Sequence, residues 1–124
     1  MPYTLEVVPG QGFMRLNIKG EIDMRAGQEL LSDIAVRCAA DRVDRVLLDV
    51  RQTYSDFRPI DLYELARALN SLFERQDRVA ILHRPDERER AVFFVETASQ
   101  RGWQVRAFDD PDAAQRWLGD VGTP

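Results

Sequence analysis

Cysteine and histidine are almost missing from this chain of 124 residues, which holds one of each, Cys38 and His83. A lone cysteine excludes an internal disulfide and any multi-cysteine zinc site, and one histidine with no cysteine beside it argues against a transition-metal centre; no metal and no cofactor are expected. Lysine is equally scarce, Lys19 being the only one among 17 basic side chains. Long apolar runs are lacking too: the longest unbroken aliphatic or aromatic stretch is Ala91 to Val95, whereas a membrane-spanning helix needs about 20 residues. Met1-Pro2-Tyr3-Thr4 does not open a basic, then apolar, leader, so the expected location is the cytoplasm. Nor is there a surplus of positive charge. The 17 basic and 21 acidic side chains give −4, which argues against broad nucleic-acid binding, since that needs a basic surface.

Hydrophobic residues at 44% and charged residues at 31% suit a globular chain. At this length folding buries roughly two-thirds of the unfolded surface, enough for a real core. Thr4 to Val8 and Phe13 to Lys19 flank Pro9-Gly10-Gln11-Gly12, and Met14, Leu16 and Ile18 alternate with polar residues, which predicts a hairpin with one covered face. After Gly20 the period becomes helical, with Ala26, Leu30, Leu31, Ile34, Ala35 and Cys38 on one face. Val46 to Val50 and Val79 to Leu82 are continuous apolar runs of the kind found in strands buried on both faces of a parallel sheet. Between them Leu62, Leu65, Ala66, Leu69, Leu72 and Phe73 repeat at helical spacing behind Pro59. A third helix is expected from near Pro85 to Arg101, burying Ala91, Phe94, Val95 and Ala98 and stopped by Gly102. Trp103 to Phe108 reads as the last strand, and Asp110 caps a short final helix carrying Ala114, Trp117 and Leu118 and ending at Gly119.

The order β-β-α-β-α-β-α-β-α predicts an α/β fold, with an N-terminal β-hairpin joined to a mainly parallel sheet and about four helices on its faces. Residues 1–119 form the expected single domain, and 120–124 a flexible tail.

Ile18-Lys19-Gly20-Glu21-Ile22-Asp23 before the first helix, Arg45 to Arg51 around the central strand, Arg78 to Leu82, and Val105 to Phe108 followed by Ala113 to Leu118 carry a likeness that covers most of the chain. In these segments the chain resembles the STAS domain of anti-sigma-factor antagonists, and more closely the SpoIIAA-like group of small proteins. The resemblance implies a partner-switching role in which an anti-sigma kinase is bound and a serine at the start of the helix after the central strand is phosphorylated. That family's motif is Asp-x-Ser-Gly. The corresponding stretch here, Asp49 to Pro59, is longer and has no Ser-Gly pair. The SpoIIAA-like group also lacks the motif, and the relation of its fold to lipid-binding domains makes a small apolar ligand an analogy to weigh.

Ligands and switches in open α/β sheets sit beyond the carboxyl ends of the parallel strands. That edge is expected to receive Glu21, Asp23, the loop from Asp49 to Arg58, His83, Arg84, Asp109 and Asp110. The candidate partner- or ligand-binding residues are therefore Asp49, Arg51, Thr53, Tyr54, Ser55, Phe57, Arg58, His83 and Arg84. Arg51, Arg58 and Arg84 are expected to converge there with Asp49 and His83. Ser55 and Thr53 are the candidate phosphorylation sites, because a phosphate near a helix N-terminus and beside arginines is electrostatically favoured. Tyr54, Phe57 and Tyr63 either form an exposed patch with the arginines or cap the core. Acidic residues beside a hydroxyl invite comparison with a phospho-accepting receiver, but the one lysine ends the hairpin strand, and Asp23 and Asp110 serve equally as helix caps. Cys38 reads as a small core residue. The run Arg84-Pro85-Asp86-Glu87-Arg88-Glu89-Arg90 alternates in sign, as on a solvated helical turn. Pro9-Gly10-Gln11-Gly12 opens no helix, so it is not a nucleotide-binding loop.

Three functions remain. The first is a non-catalytic STAS-like regulatory or protein-interaction module with a protein partner. The second is a binder of a small apolar or amphiphilic ligand in a pocket between sheet and helix. The third is a small hydrolase using His83 with Asp49 or Ser55, which lacks a nucleophile motif, so no catalytic residue is assigned. Homodimerisation is open to the hairpin edge or to the exposed helix faces.

Overall fold

A computed structural model describes residues 3–9, 12–72, 78–99 and 104–119. Strands β1 (Tyr3–Pro9) and β2 (Met14–Glu21) pair antiparallel, with Leu5 opposite Ile18 and Val7 opposite Leu16. Met14, Leu16 and Ile18 are buried, as their alternation predicts. There follow α1 (Met24–Asp41), β3 (Arg45–Tyr54), α2 (Pro59–Leu72), β4 (Arg78–Leu82), a 3-10 turn (Pro85–Glu87), α3 (Arg88–Ser99), β5 (Gln104–Phe108) and α4 (Pro111–Gly119). The sheet order is β1-β2-β3-β4-β5, parallel everywhere except at the hairpin.

Right-handed crossovers between successive parallel strands bring α1, α2 and α3 to one face. Ile34, Leu65, Leu69 and Ala98 from those helices meet Leu16, Leu48 and Ile81 in the larger core, where Cys38 is also buried. Helix α4 returns to the opposite face, and its Ala114 and Leu118 close a second core over Leu47, Ala80 and Leu82. The alternation of Val46 and Leu48 with Leu47 thus feeds two cores, which is why Val46-Leu47-Leu48 is apolar without a break. Asp23 caps α1 by accepting the Ala26 amide at 2.8 Å, and Asp110 accepts the Asp112 amide at 3.2 Å. The carbonyls that end α4 are met by arginines from the strands: Arg78 donates to Trp117 O at 3.0 Å and Arg45 to Leu118 O. Among the described residues no helix is long and apolar enough to cross a membrane.

The hairpin strands differ from expectation by one or two residues at their ends, and two boundaries differ by more. The central strand does not stop at Val50 but runs to Tyr54, because β2 is long enough to pair Lys19 with Gln52, Gly20 with Thr53 and Glu21 with Tyr54. The third helix is preceded by a 3-10 turn and becomes α-helical at Arg88. Of the remaining expectations, those on Gly10, Gln11, Phe73, Arg101, Gly102, Trp103, the Leu72 side chain and the tail from 120 lie outside the described residues.

Candidate functional site

The extra length of β3 contains a bulge. Asn17 faces Asp49 but Lys19 faces Gln52, so β3 carries one residue more than β2 between those pairs. The bulge shifts the alternation: Val50 and Thr53, three apart, both line the space under α1–α3. Asp49 holds it in place. Its carboxylate accepts the Arg51 backbone N–H at 3.1 Å, the Arg51 side chain at 3.0 and 2.8 Å, and Arg15 Nη2 at 3.0 Å. Burial by itself would push the Asp49 carboxyl up, but the hydrogen bonds and charge of Arg51, with the bond from Arg15, hold it below the usual carboxylate range. The hydrogen bond to Asp49 in turn raises Arg51. Asp49 is therefore a buried anchor inside the sheet, not a strand-end group. It points away from the α1–α3 side because it is two residues beyond Leu47, whose side chain packs under α4.

Beyond the bulge β3 outruns β4, whose pairing ends with Asp49 opposite Leu82. On the β4 side the carbonyls after that point face no strand, and two arginines from the next connection take carbonyls there and in the loop that follows. Arg84 Nη1 donates to Arg51 O at 2.6 Å and to Thr53 O at 2.9 Å. Arg90 Nη1 donates to Ser55 O at 3.0 Å, while its Nη2 donates to Ser55 Oγ at 3.1 Å and to Phe57 O at 3.0 Å. Glu87 sits between the two guanidiniums, 3.2 Å from each, and orients both. The planar five-donor fork of arginine fits this duty as lysine does not. Residues 55–57 are thus pinned from beneath by Arg90 of α3, and the end of β3 by Arg84.

Under this clamp a cavity of about 180 Å³ opens between the sheet and α1–α3. Its walls are apolar, with Ile18, Leu30, Val50, Leu65 and Phe94 among them, and its polar end is made by Thr53, Ser55, His83, Arg84, Glu87 and Arg90. His83 is only 4% exposed, and its amide donates to Phe108 O at 2.8 Å. Ring Nδ1 lies 2.7 Å from Arg84 O; a carbonyl cannot donate, so Nδ1 carries the proton of this bond. Ring Nε2 has no partner among the described residues.

On the outside, Tyr54 is 65% exposed with Arg84 over its ring at 5.2 Å, whereas Phe57 turns inward onto the core with Arg90 at 6.0 Å from its ring. Ile60 and Tyr63, one turn apart on α2, are exposed as well. A groove of about 410 Å³ runs beside them, lined by Glu21, Asp23, Asp56 and Asp61 with Tyr54 and Phe57.

The nine candidate residues thus fall into three groups. Thr53, Ser55, Phe57, His83 and Arg84 meet around the cavity, Asp49 and Arg51 form the anchor within the sheet, and Tyr54 and Arg58 face outward. Arg58 does not join Arg51 and Arg84. It is exposed at the start of α2, where its amide and guanidinium meet Asp61 at 2.9 and 3.3 Å, a helix-starting contact that lowers the Asp61 carboxyl and raises the arginine. Of Tyr54, Phe57 and Tyr63, the two tyrosines are exposed and Phe57 packs against the core. Of the two hydroxyls, Thr53 donates to Val50 O at 2.8 Å and belongs to the bulge, while Ser55 sits in the loop. His83 makes no hydrogen bond with Asp49 or Ser55 among the described residues, so neither hydrolytic pair is assembled. Arg90 and Glu87 escaped sequence reading, because alternating charges look like a solvated turn. Only the folded chain shows that every third residue of that run, at 84, 87 and 90, turns toward the loop.

Neither a protein-family model nor a curated protein matches the sequence. Solved structures do match. An anti-sigma factor antagonist from Mycobacterium paratuberculosis is similar at 17% identity and a TM-score of 0.67, with 95% of each chain covered. An uncharacterized protein with a SpoIIAA-like fold from Shewanella loihica is also 17% identical, with a TM-score of 0.56 over 94% of this chain and 93% of that one. The Bacillus cell fate determinant SpoIIAA in its phosphorylated form is 15% identical, with a TM-score of 0.51 over 93% of this chain and 98% of its own. The antiparallel hairpin, the parallel strands that follow it and the four helices of this chain therefore make up a STAS-type, SpoIIAA-like fold.

Proposed function

We propose that this chain is a non-catalytic regulatory module that binds a protein partner where β3 leads into α2. The observation that carries this reading is a fixed loop with an exposed apolar face. Residues 55–57 are held from beneath by Arg90, while Tyr54, Ile60 and Tyr63 stand 65%, 54% and 38% exposed at the same end of the sheet. A surface already ordered loses little entropy on docking, and tyrosine is a common interface anchor. The partner's chemistry follows from the adjoining groove. Asp23 and Asp61 serve the α1 cap and Arg58, but Glu21 and Asp56 have no ion-pair partner among the described residues, so the groove favours basic side chains. By extension from the antagonists that share the fold, the partner is a regulator of the anti-sigma type.

Ser55 is the switch in this reading. Its Oγ lies 3.1 Å from Arg90, and a phosphoryl group there would draw the guanidinium from the loop carbonyls that it holds, changing the docking face. Mapping phosphopeptides after incubation with ATP and cell lysate tests this point, and modification absent from residues 51–59 removes the switch. Affinity capture tests the docking face. A Tyr54→Ala/Ile60→Ala/Tyr63→Ala variant is expected to lose the proteins retained by the parent and by a Val36→Ala control, which alters an apolar residue 64% exposed on α1. Equal capture by the triple variant overturns the placement.

A further inference from the structure

The space between the sheet and α1–α3 has the form of a binding site with one polar anchor. A buried nitrogen without a partner is costly, and among the described residues His83 Nε2 has none: the residue is 96% buried, Nδ1 is committed to Arg84 O, and His83 lines a cavity whose walls are otherwise mostly apolar. In the neutral ring Nε2 carries a lone pair and asks for a donor. The two guanidiniums at the same end do not offer an anion site. Arg84 and Arg90 direct their donors at backbone carbonyls, Ser55 Oγ and Glu87, and a carboxylate guest would meet Glu87 and the Nε2 lone pair. Size narrows the guest further. At about 180 Å³ the cavity is close to the roughly 150 Å³ apolar cavity that accepts benzene, and it falls below the roughly 300–1,000 Å³ of sites for larger ligands.

We infer that this cavity binds a small neutral molecule with an apolar body and a single hydroxyl group, a phenol or a short alcohol, whose O–H donates to His83 Nε2. The inference does not rest on the partner surface: its anchor, His83, does not line the partner groove, although Ser55 and Phe57 border both spaces. The hydroxyl supplies the missing donor, and the aliphatic walls take the ring or chain.

Phenol and toluene, which share a shape and differ in the hydroxyl, test it by calorimetric titration of the full chain. Phenol is expected to saturate the protein at least as tightly as toluene, because the buried hydroxyl finds Nε2. In His83→Phe the hydroxyl loses its Nε2 acceptor, and the preference is expected to turn toward toluene by about tenfold. An Ala91→Leu variant, which fills the cavity from α3 and keeps the histidine, is expected to lose both compounds. If His83→Phe fails to fold, the imidazole nitrogen spectrum of the parent replaces it: the Nε2 resonance should move with phenol and not with toluene. Absence of saturable binding of either compound at millimolar concentration overturns the site. A parent that prefers toluene, an unchanged preference in His83→Phe, or an unmoved Nε2 resonance overturns the anchor.

Discussion

Removing the Arg90 side chain tests how the loop that leads into α2 is held. Arg90→Ala deletes three hydrogen bonds to that loop, at 3.0 Å to Ser55 O, 3.1 Å to Ser55 Oγ and 3.0 Å to Phe57 O. A hydrogen bond is worth about 0.5–1.5 kcal/mol net, more when charged. The Arg90 side chain is 32% exposed, so solvent competes and the lower part of that range applies. The sum is roughly 2 kcal/mol. If the loop opens alone, amides of residues 55–58 exchange about thirtyfold faster, since each 1.4 kcal/mol is about tenfold. If the loss is felt globally, the melting temperature falls by about 8 °C, at about 4 °C per kcal/mol for this length. Hydrogen exchange resolved by residue, with a thermal melt beside it, separates the two. Arg90→Lys keeps the charge but not the fork, and is expected to recover less than half of the loss. Loop exchange and melting both unchanged in Arg90→Ala would refute the pinning.

Asp49→Asn leaves two arginines without their anion and is expected to cost about 2–3 kcal/mol in urea denaturation. Because the folded Asp49 carboxyl lies below its ordinary value, its contribution is present above the unfolded value of about 3.9 and is lost as pH falls through the lower folded one. Urea melts from about pH 5 down to about pH 2 should show a smaller loss in Asp49→Asn than in the parent. Leu47→Ala empties a fully buried position under α4 and should cost about 2–5 kcal/mol, read from the same melts. Tyr54→Ala, by contrast, touches an exposed ring beside Arg84 and should shift stability by less than about 1 kcal/mol, so any loss of partner capture is a surface effect.

Much of the fold is legible in the sequence, because burial imposes period. Met14, Leu16 and Ile18 at period two, and Leu30, Leu31, Ile34 and Cys38 at helical spacing, all occupy the core. Asp23 and Asp110 mark helix starts by the bonds that they make. The site is legible in part. The carboxyl ends of the parallel strands do gather Thr53, Ser55, Phe57, His83 and Arg84. What sequence could not reveal is which way each residue turns after the bulge. One added residue in β3 places Asp49 and Arg51 apart from Val50 and Thr53, and nothing in Asp49-Val50-Arg51-Gln52 announces it. The inward turn of Arg84, Glu87 and Arg90 is equally silent, since it depends on β3 outrunning β4 and leaving carbonyls to be met.

In the proposed function the partner docks on the pinned loop and the exposed face of α2, and its basic groups enter the adjoining acidic groove. Hydrogen exchange of the captured complex against the free protein measures this most directly, at low salt and again at high salt, where such pairing weakens. The expected result is protection concentrated in residues 54–63, with weaker capture as salt rises. Protection confined to the β1 edge or to α4, with residues 54–63 exchanging as in the free protein, would contradict it.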